Sequence, residues 1–166
     1  MVLSTLDNEN VPSQRTVLLK YFNHLGFVFF SNYTSRKAQH LETNPNASLL
    51  FPWYALERQV ILIGKVERIN VEESKAYFFN RPYGSQLGAW VSKQSSVIKS
   101  RQILEDRLSE LKQKFPEGKV PFPNFWGGYR LIPKNIEFWQ GGANRLHDRI
   151  LYKEIESEWS ISRLSP

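Results

Sequence analysis

The sequence predicts a mainly β protein in which antiparallel strands form a meander that closes towards a barrel, with helices flanking the sheet. Short runs rich in Val, Ile, Leu and Phe alternate with turn-forming clusters along the chain, which is typical of such a fold. Aromatic residues make up 14% of the 166 residues, and their large rings suit a compact β-rich domain or a ring-stacking site. The length and the lack of a linker or repeat predict a single domain over residues 1–166.

The expected strands are apolar runs bounded by turns. Val2–Leu6 stops at the turn-rich cluster 7–10. Phe27–Phe30 follows a turn at 23–26 and is apolar throughout, which indicates a strand buried on both faces. The full set of expected strands is 2–6, 16–21, 27–30, 47–53, 59–69, 128–131, 136–140, 149–153 and 159–164.

Three helices are expected between the strands, at 35–44, 71–80 and about 100–115. Asn70 and Glu73 flank the start of the second helix at the spacing of a capping box. A further short helix is expected to begin at Gly84 and Ser85, with Ser85 as its N-cap. The last of the three carries an apolar stripe that indicates core packing, formed by Leu104, Leu108, Leu111 and Phe115.

Composition excludes several classes of protein. Lys and Arg number 22 against 16 Asp and Glu, a net charge of +6, which suits either nucleic acid or a phosphorylated small molecule as partner. Cysteine is absent, so disulfides, thiolate metal sites and cysteine nucleophiles are excluded, and three scattered histidines give no metal-ligand spacing. No apolar run reaches the ~18 residues of a membrane span, and the first residues lack a signal-peptide core. A cytoplasmic location without membrane contact is therefore expected.

A first candidate anion site lies at the start of the helix predicted at 35–44. Arg36 and Lys37 fall in its first turn, where cations oppose the helix dipole at a cost of roughly 0.3–1 kcal/mol each. Unpaired backbone N–H groups together with two cations form an anion site, most simply for a phosphate. Two solvated side chains would explain the same pattern, so both interpretations remain open at this point.

A second candidate anion site surrounds the end of the helix predicted at 71–80. Tyr77 and Arg81 are four residues apart and therefore share one helix face. Together with Ser85, they would offer two hydroxyl groups and a guanidinium fork to a second phosphate. The alternative is that Arg81 caps the helix carbonyls.

A third cluster contains Arg145, His147 and Arg149. If this segment alternates like a strand, the three side chains point the same way. Like charges on one face would repel one another over a core, so an anionic or π-rich ligand is expected there, and the imidazole can donate or accept a hydrogen bond.

Two stretches near the end of the chain, Glu137–Gln140 and Arg145–Arg149, resemble the signature of the pyridoxamine/pyridoxine 5′-phosphate oxidase family. Further stretches match in the family's order, so the resemblance covers essentially the whole chain. These stretches are 15–20, 35–38, 57–60, 88–90, 94–95, 125–128 and 163–166.

The resemblance implies an antiparallel, Greek-key-like split β-barrel with flanking helices that binds FMN at the interface of a homodimer. It implies an enzyme of vitamin B6 salvage or biosynthesis that oxidises pyridoxine 5′-phosphate or pyridoxamine 5′-phosphate to pyridoxal 5′-phosphate. Dioxygen would accept the electrons and leave as hydrogen peroxide, and the amine substrate would also give ammonia.

The family's functional residues carry over onto matching motifs of this sequence. The resemblance implies that Arg145 and His147 face the pyridine ring and are the catalytic residues. The implied cofactor-binding residues are Arg15, Phe30, Ser31, Arg36, Lys37, Gln59, Gln94, Ser95, Trp139 and Arg149. The implied substrate-binding residues are Lys20, Tyr77, Arg81 and Ser85, joined by Arg145 and His147.

Two other functions are consistent with parts of this pattern. A split-barrel flavin reductase or carrier would share the cofactor residues, but it needs no second phosphate site. A nucleic-acid-binding barrel would suit the aromatic and basic content, but the basic residues form compact motifs rather than an extended run. Family members usually carry an additional N-terminal segment that can cover the substrate, and this segment is expected to be absent from residues 1–166.

Overall fold

The computed structural model describes all residues from Met1 to Pro166, and strands dominate it. The helices are α1 (Arg36–Thr43), α2 (Val71–Phe79), α3 (Tyr83–Val91) and α4 (Gln102–Lys114), with short 3₁₀ turns at Tyr54–Leu56 and Ala143–Arg145. The strands are β1 (Val2–Leu6), β2 (Pro12–Thr16), β3 (Tyr21–Asn23), β4 (Gly26–Asn32), β5 (Asn46–Trp53), β6 (Arg58–Arg68), β7 (Trp126–Gln140), β8 (Asp148–Ile155) and β9 (Glu158–Leu164).

The strands form one nine-stranded sheet with the order β2-β1-β5-β6-β7-β4-β3, and β8 pairs with both β7 and β9. The pairs β1–β2, β1–β5, β3–β4, β5–β6, β7–β8 and β8–β9 are all antiparallel. The mainly β, antiparallel class predicted from the sequence is therefore confirmed. No helix is long and apolar enough to cross a membrane.

The chain divides into two compact units. The first comprises 1–29, 40–67 and 130–166, and the second comprises 30–39 and 68–129. The single domain over 1–166 that the sequence predicts remains a prediction.

In the first unit, the core is built from cross-strand pairs of buried leucines. Leu3 on β1 lies opposite Leu49 on β5, which in turn lies opposite Leu62 on β6. All three side chains are fully buried. Directly opposed residues share a sheet face, so these pairs fix the register of the three strands.

In the second unit, helices pack on an aromatic core. Phe78, Leu87, Val120 and Trp126 are buried together, and Leu108 and Leu111 of α4 pack against them together with Phe115, which directly follows α4. The predicted packing role of the apolar stripe is therefore confirmed for these three residues. Asn70 caps α2 as predicted, because its side-chain oxygen accepts a hydrogen bond of 2.6 Å from the backbone N–H of Glu73.

Three details of the predicted elements are wrong. The strand expected at 16–21 is absent, because the chain leaves its pairing with β1 after Thr16 and begins a new pairing with β4 at Tyr21. The strands expected at 128–131 and 136–140 are one continuous strand, β7. Ser85 is not an N-cap: α3 begins at Tyr83 after the extended residue Pro82, whose carbonyl accepts from the backbone N–H of Ser85.

Candidate functional site

The first turn of α1 contains a buried lysine held by polar side chains. The Lys37 side chain is only 9% exposed, and its Nζ donates to Gln94 Oε1 at 2.8 Å, Ser31 Oγ at 3.2 Å and Ser35 Oγ at 3.4 Å. We call Ser31, Ser35, Lys37 and Gln94 the Lys37 cluster. A buried ammonium group is costly unless polar groups surround it, and these three acceptors offset that cost. Because Lys37 is buried and hydrogen-bonded, it is not a solvated side chain.

Ser35 supports this cluster, and the sequence analysis missed it. Its fully buried hydroxyl accepts from the backbone N–H of Ala38 at 3.4 Å and lies 3.4 Å from Ser31 Oγ. It therefore caps the start of α1. The sequence signal was its position directly before the helix. Arg36 differs: its side chain is exposed, while its backbone N–H donates to Ser95 Oγ at 3.2 Å.

A pocket of about 990 Å³ in the second unit is lined by three predicted cofactor residues, Arg36, Gln94 and Ser95. Lys93 and Arg107 add further positive charge, and none of its lining residues is Asp or Glu. Cationic groups and side-chain donors without nearby carboxylates favour an anionic ligand.

Arg81 lies at the end of an aromatic column. The rings of Phe30 and Tyr77 stack with centroids 3.9 Å apart, and Phe30 stacks on Trp126 at 5.1 Å. The Arg81 guanidinium lies 4.7 Å from the centre of the Trp126 ring. Its Nη1 is buried and has no hydrogen-bond partner. Burial lowers the pKa of Arg81 from its ordinary value, partly offset by Tyr77.

The capping alternative for Arg81 is not what the structure shows. Other side chains bind the carbonyls here: Asn80 Nδ2 donates to Ala76 O at 3.0 Å, and Gln86 Nε2 donates to Phe79 O at 3.2 Å and to Arg81 O, just after the helix, at 2.8 Å. Gln86 is buried and was missed from sequence, because no local spacing links it to that end. An unpartnered buried donor requires an explanation, and a ligand that accepts its hydrogen bond is the simplest one. Ser85 is half-buried in the first turn of α3.

A smaller pocket of about 330 Å³ in the first unit is lined by Gln59, Trp139 and His147, together with the glycines Gly141 and Gly142. We call it the ring pocket. The centroids of the Trp139 and His147 rings are 4.8 Å apart. The backbone N–H of Gly142 donates to His147 Nδ1 at 3.2 Å, so the loop itself orients the imidazole.

The expected alternation of Arg145, His147 and Arg149 is wrong. Ala143–Arg145 forms a 3₁₀ turn, and both Asn144 (φ 57°) and Arg145 (φ 62°) have left-handed backbone conformations. Such a turn does not place alternate residues on one face. Arg145 is exposed on this turn, whereas Arg149 lies on β8.

Arg149 is anchored by two acceptors. Its Nε donates to Glu137 Oε1 at 2.8 Å, and its Nη1 donates to the backbone oxygen of Ser165 at 3.0 Å. The hydrogen bond to Glu137 raises the pKa of the Arg149 guanidinium above its ordinary value. Sequence matching identified Arg149 but not its partner Glu137.

Two further predicted residues lie in the first unit. Arg15 donates to Leu3 O, Thr5 Oγ1 and Ser13 Oγ at 3.2, 2.6 and 2.7 Å, so it braces β1 and β2. Lys20 is exposed, and its backbone N–H donates to Val28 O at 2.9 Å. Their roles towards a ligand remain predictions.

The fold and these pockets define an antiparallel β protein with a buried lysine cluster, a pocket lined by cationic side chains and a pocket lined by aromatic rings. The family model described as "Pyridoxamine 5'-phosphate oxidase" matches residues 1–115, and that described as "Pyridoxine 5'-phosphate oxidase C-terminal dimerisation region" matches residues 126–166. The chain therefore belongs to the pyridoxamine 5′-phosphate oxidase family.

Curated relatives agree with this assignment. The proteins named pyridoxine/pyridoxamine 5′-phosphate oxidase from Escherichia coli O1:K1 and from Cronobacter sakazakii are each 56% identical over 166 residues, which is 100% of this chain and 76% of theirs.

Solved structures confirm the predicted split barrel. PhzG from Burkholderia lata, in complex with tetrahydrophenazine-1-carboxylic acid, has a TM-score of 0.94 at 27% identity, covering 99% of this chain and 81% of that one. A pyridoxamine 5′-phosphate oxidase-related, FMN-binding protein from Nostoc punctiforme has a TM-score of 0.78 at 18% identity, covering 99% and 87%. At that lower identity the likeness shows the fold alone.

Proposed function

We propose that this chain is an FMN-dependent oxidase that converts pyridoxine 5′-phosphate or pyridoxamine 5′-phosphate to pyridoxal 5′-phosphate, with dioxygen as acceptor. The observation that carries this proposal is the 56% identity, over the whole chain, to proteins named for that activity. The buried, unpartnered Nη1 of Arg81 adds a reason to expect a second anion besides that of the cofactor. A flavin reductase or carrier needs no second anion site of this kind.

The residues present fit FMN. Its phosphate needs cationic and hydroxyl donors, and the Lys37 cluster and the pocket beside Arg36 supply them without a competing carboxylate. Its ring needs flat neighbours and hydrogen-bonding side chains, which Gln59 and Trp139 offer in the ring pocket. Phe30, Ser31 and Arg15 belong to this cofactor proposal through the family resemblance.

When bound, FMN would supply the redox chemistry: it would accept a hydride, which carries two electrons, from the substrate, and pass both electrons to dioxygen, which takes up two protons and leaves as hydrogen peroxide. The residues of the chain then have positioning and electrostatic roles. Arg81, Tyr77, Ser85 and Lys20 bind the substrate phosphate, and this binding fixes the distance between the reacting atoms.

Arg145 and His147 are the residues we propose to act on the pyridine ring. A planar guanidinium can stack on an aromatic ring, and an imidazole held at Nδ1 by Gly142 keeps Nε2 for a substituent of the substrate. Trp139 limits the position of His147 by ring contact. These groups orient the substrate, which is the main contribution of a protein to hydride transfer.

We also propose that the chain works as a homodimer with FMN at the subunit interface. Support comes from the match of residues 126–166 to a region described as a dimerisation region. The cytoplasmic location expected from the sequence is part of the same proposal.

The experiment is oxidation under air with FMN-saturated protein. We expect pyridoxal 5′-phosphate and hydrogen peroxide in equal amounts from the phosphorylated alcohol, and additional ammonia from the phosphorylated amine. Dephosphorylated pyridoxine is the matched control substrate and should react poorly. Tight FMN binding without any product would contradict the oxidase proposal and favour a carrier.

A further inference from the structure

One face of the β7–β8 pair gathers three functional side chains. Glu137 and Trp139 are two residues apart on β7 and so point to the same face. Arg149 on β8 lies directly opposite Trp139 in the register, which places its side chain on that face as well. Trp139 lines the ring pocket. Glu137 is therefore built into the same surface as a residue that touches the pocket.

Two anchors fix the guanidinium of Arg149. Glu137 Oε1 accepts from Nε, and the Ser165 carbonyl accepts from Nη1. Two hydrogen bonds from different nitrogens define the guanidinium plane, which leaves Nη2 to face a ligand. Without the carboxylate, a single bond to the C-terminal backbone would hold this flexible side chain.

The ion pair between Glu137 and Arg149 also affects the net charge beside Trp139. The Glu137 side chain is 16% exposed and that of Arg149 is 32% exposed, so water screens this pair less than a fully exposed one. The carboxylate offsets part of the positive charge beside Trp139. Positive charge near a flavin ring stabilises the anionic reduced form, and a neighbouring carboxylate therefore reduces that stabilisation.

We propose that Glu137 is a positioning residue that holds the Arg149 guanidinium against the bound flavin ring and sets the net charge there. This inference rests on the proposed function, because it needs FMN beside Arg149. The Glu137 side chain would then have two effects. It would fix the position of the Arg149 guanidinium, which an amide can partly do, and it would supply a negative charge, which an amide cannot.

The test compares Glu137→Gln with Glu137→Ala. Glu137→Gln keeps an oxygen that can accept from Nε, so FMN affinity should change little while the flavin midpoint potential shifts to a more positive value. Glu137→Ala removes the anchor, so FMN affinity should fall. Glu154→Gln is the matched control, because Glu154 pairs with Lys134 at 2.5 Å in the same sheet and its side chain is 23% exposed. This control should change neither quantity.

A measurement on the apoprotein checks the geometry without cofactor. The Arg149 Nε–H signal in a ¹H–¹⁵N spectrum, assigned by its loss in Arg149→Lys, should be observable in the parent. It should be lost through fast exchange with water in Glu137→Ala. Melting curves of each variant show whether it is folded. If Glu137→Ala does not fold, the test rests on Glu137→Gln.

The outcomes separate this inference from the oxidase proposal. A Glu137→Gln protein whose flavin potential matches that of Glu154→Gln would overturn the role of Glu137, even if the parent enzyme forms pyridoxal 5′-phosphate. A parent protein that binds no FMN would instead overturn the proposed function. A positive shift for Glu137→Gln alone supports the inference.

Discussion

The Lys37 cluster and the ring pocket, which we propose bind different ligand groups, are built by opposite structural means. In the cluster, a buried ammonium group donates hydrogen bonds to three neighbouring side chains on a strand, a helix start and a loop. In the ring pocket, His147 follows an exposed 3₁₀ turn with left-handed residues. The first region is a preorganised group of buried side chains, which we propose binds the cofactor phosphate. The second is a loop, which we propose orients the reacting ring.

We therefore expect substitutions in the Lys37 cluster to affect ligand binding and substitutions in the loop to affect turnover. Removing the cation from a buried cluster should lower affinity, because an anionic ligand loses a charge-assisted contact. A substitution in a loop that orients a reacting ring should lower kcat, because small misplacements of the ring have their largest effect in the transition state.

Arg145→Leu should lower kcat most, by about a hundredfold, because removing the guanidinium loosens the substrate ring that we propose it stacks on. His147→Asn should be milder, since an amide can still accept from the Gly142 backbone N–H. Steady-state formation of pyridoxal 5′-phosphate with saturating FMN measures both. If Arg145→Leu raised only KM, the loop would be a binding element like the cluster.

Lys37→Ala should weaken FMN binding by about ten- to hundredfold, the equivalent of a charge-assisted contact. Arg36→Ala, one residue away but exposed, should have a smaller effect because solvent screens its charge. Fluorescence titration of apoprotein with FMN measures both variants. Equal losses, or none for Lys37→Ala, would remove the distinction between buried and exposed cations.

Arg81→Ala should raise KM by about tenfold while lowering kcat less, because a phosphate contact binds ground state and transition state alike. It should also reduce the preference for phosphorylated over dephosphorylated pyridoxine. Arg101→Ala is the matched control, since Arg101 is an exposed arginine of the same unit, paired with Glu105. A loss of kcat alone, with the phosphate preference intact, would show that Arg81 does not bind the substrate phosphate.

Asn70→Ala should destabilise the fold by about 1 kcal/mol, the usual value of an N-cap, and leave KM and kcat of the folded protein unchanged. Its side chain caps α2 and lines neither pocket described above. Thermal unfolding of the apoprotein measures the stability. A change in KM would mean that α2 transmits strain to Tyr77 and Arg81.

The sequence predicts the elements with strong local signals. The capping box at Asn70 and the stripe of α4 are such signals, because they depend on spacing within one helix. The helix-dipole argument also singled out the start of α1, where the buried lysine lies. Cations in the first turn of a helix oppose the helix dipole, so their positions can be recognised from the sequence as a departure from what stability favours. Such departures are expected at functional sites.

Sequence reasoning fails where the structure depends on distant partners or on backbone conformation. Gln86 and Glu137 act through residues that no local spacing indicates. The alternation considered for Arg145, His147 and Arg149 fails because Asn144 and Arg145 both adopt positive φ. Non-glycine residues rarely adopt that conformation, so the pattern of charges suggested a strand instead.

The most direct test of the account compares the affinities of the apoprotein for FMN and for riboflavin, which lacks the phosphate, in the parent and in Lys37→Ala. The account predicts that the parent binds FMN much more tightly and that Lys37→Ala loses most of this preference while binding riboflavin as before. A parent that binds the two flavins equally well, or a Lys37→Ala protein with the full preference for FMN, would contradict it.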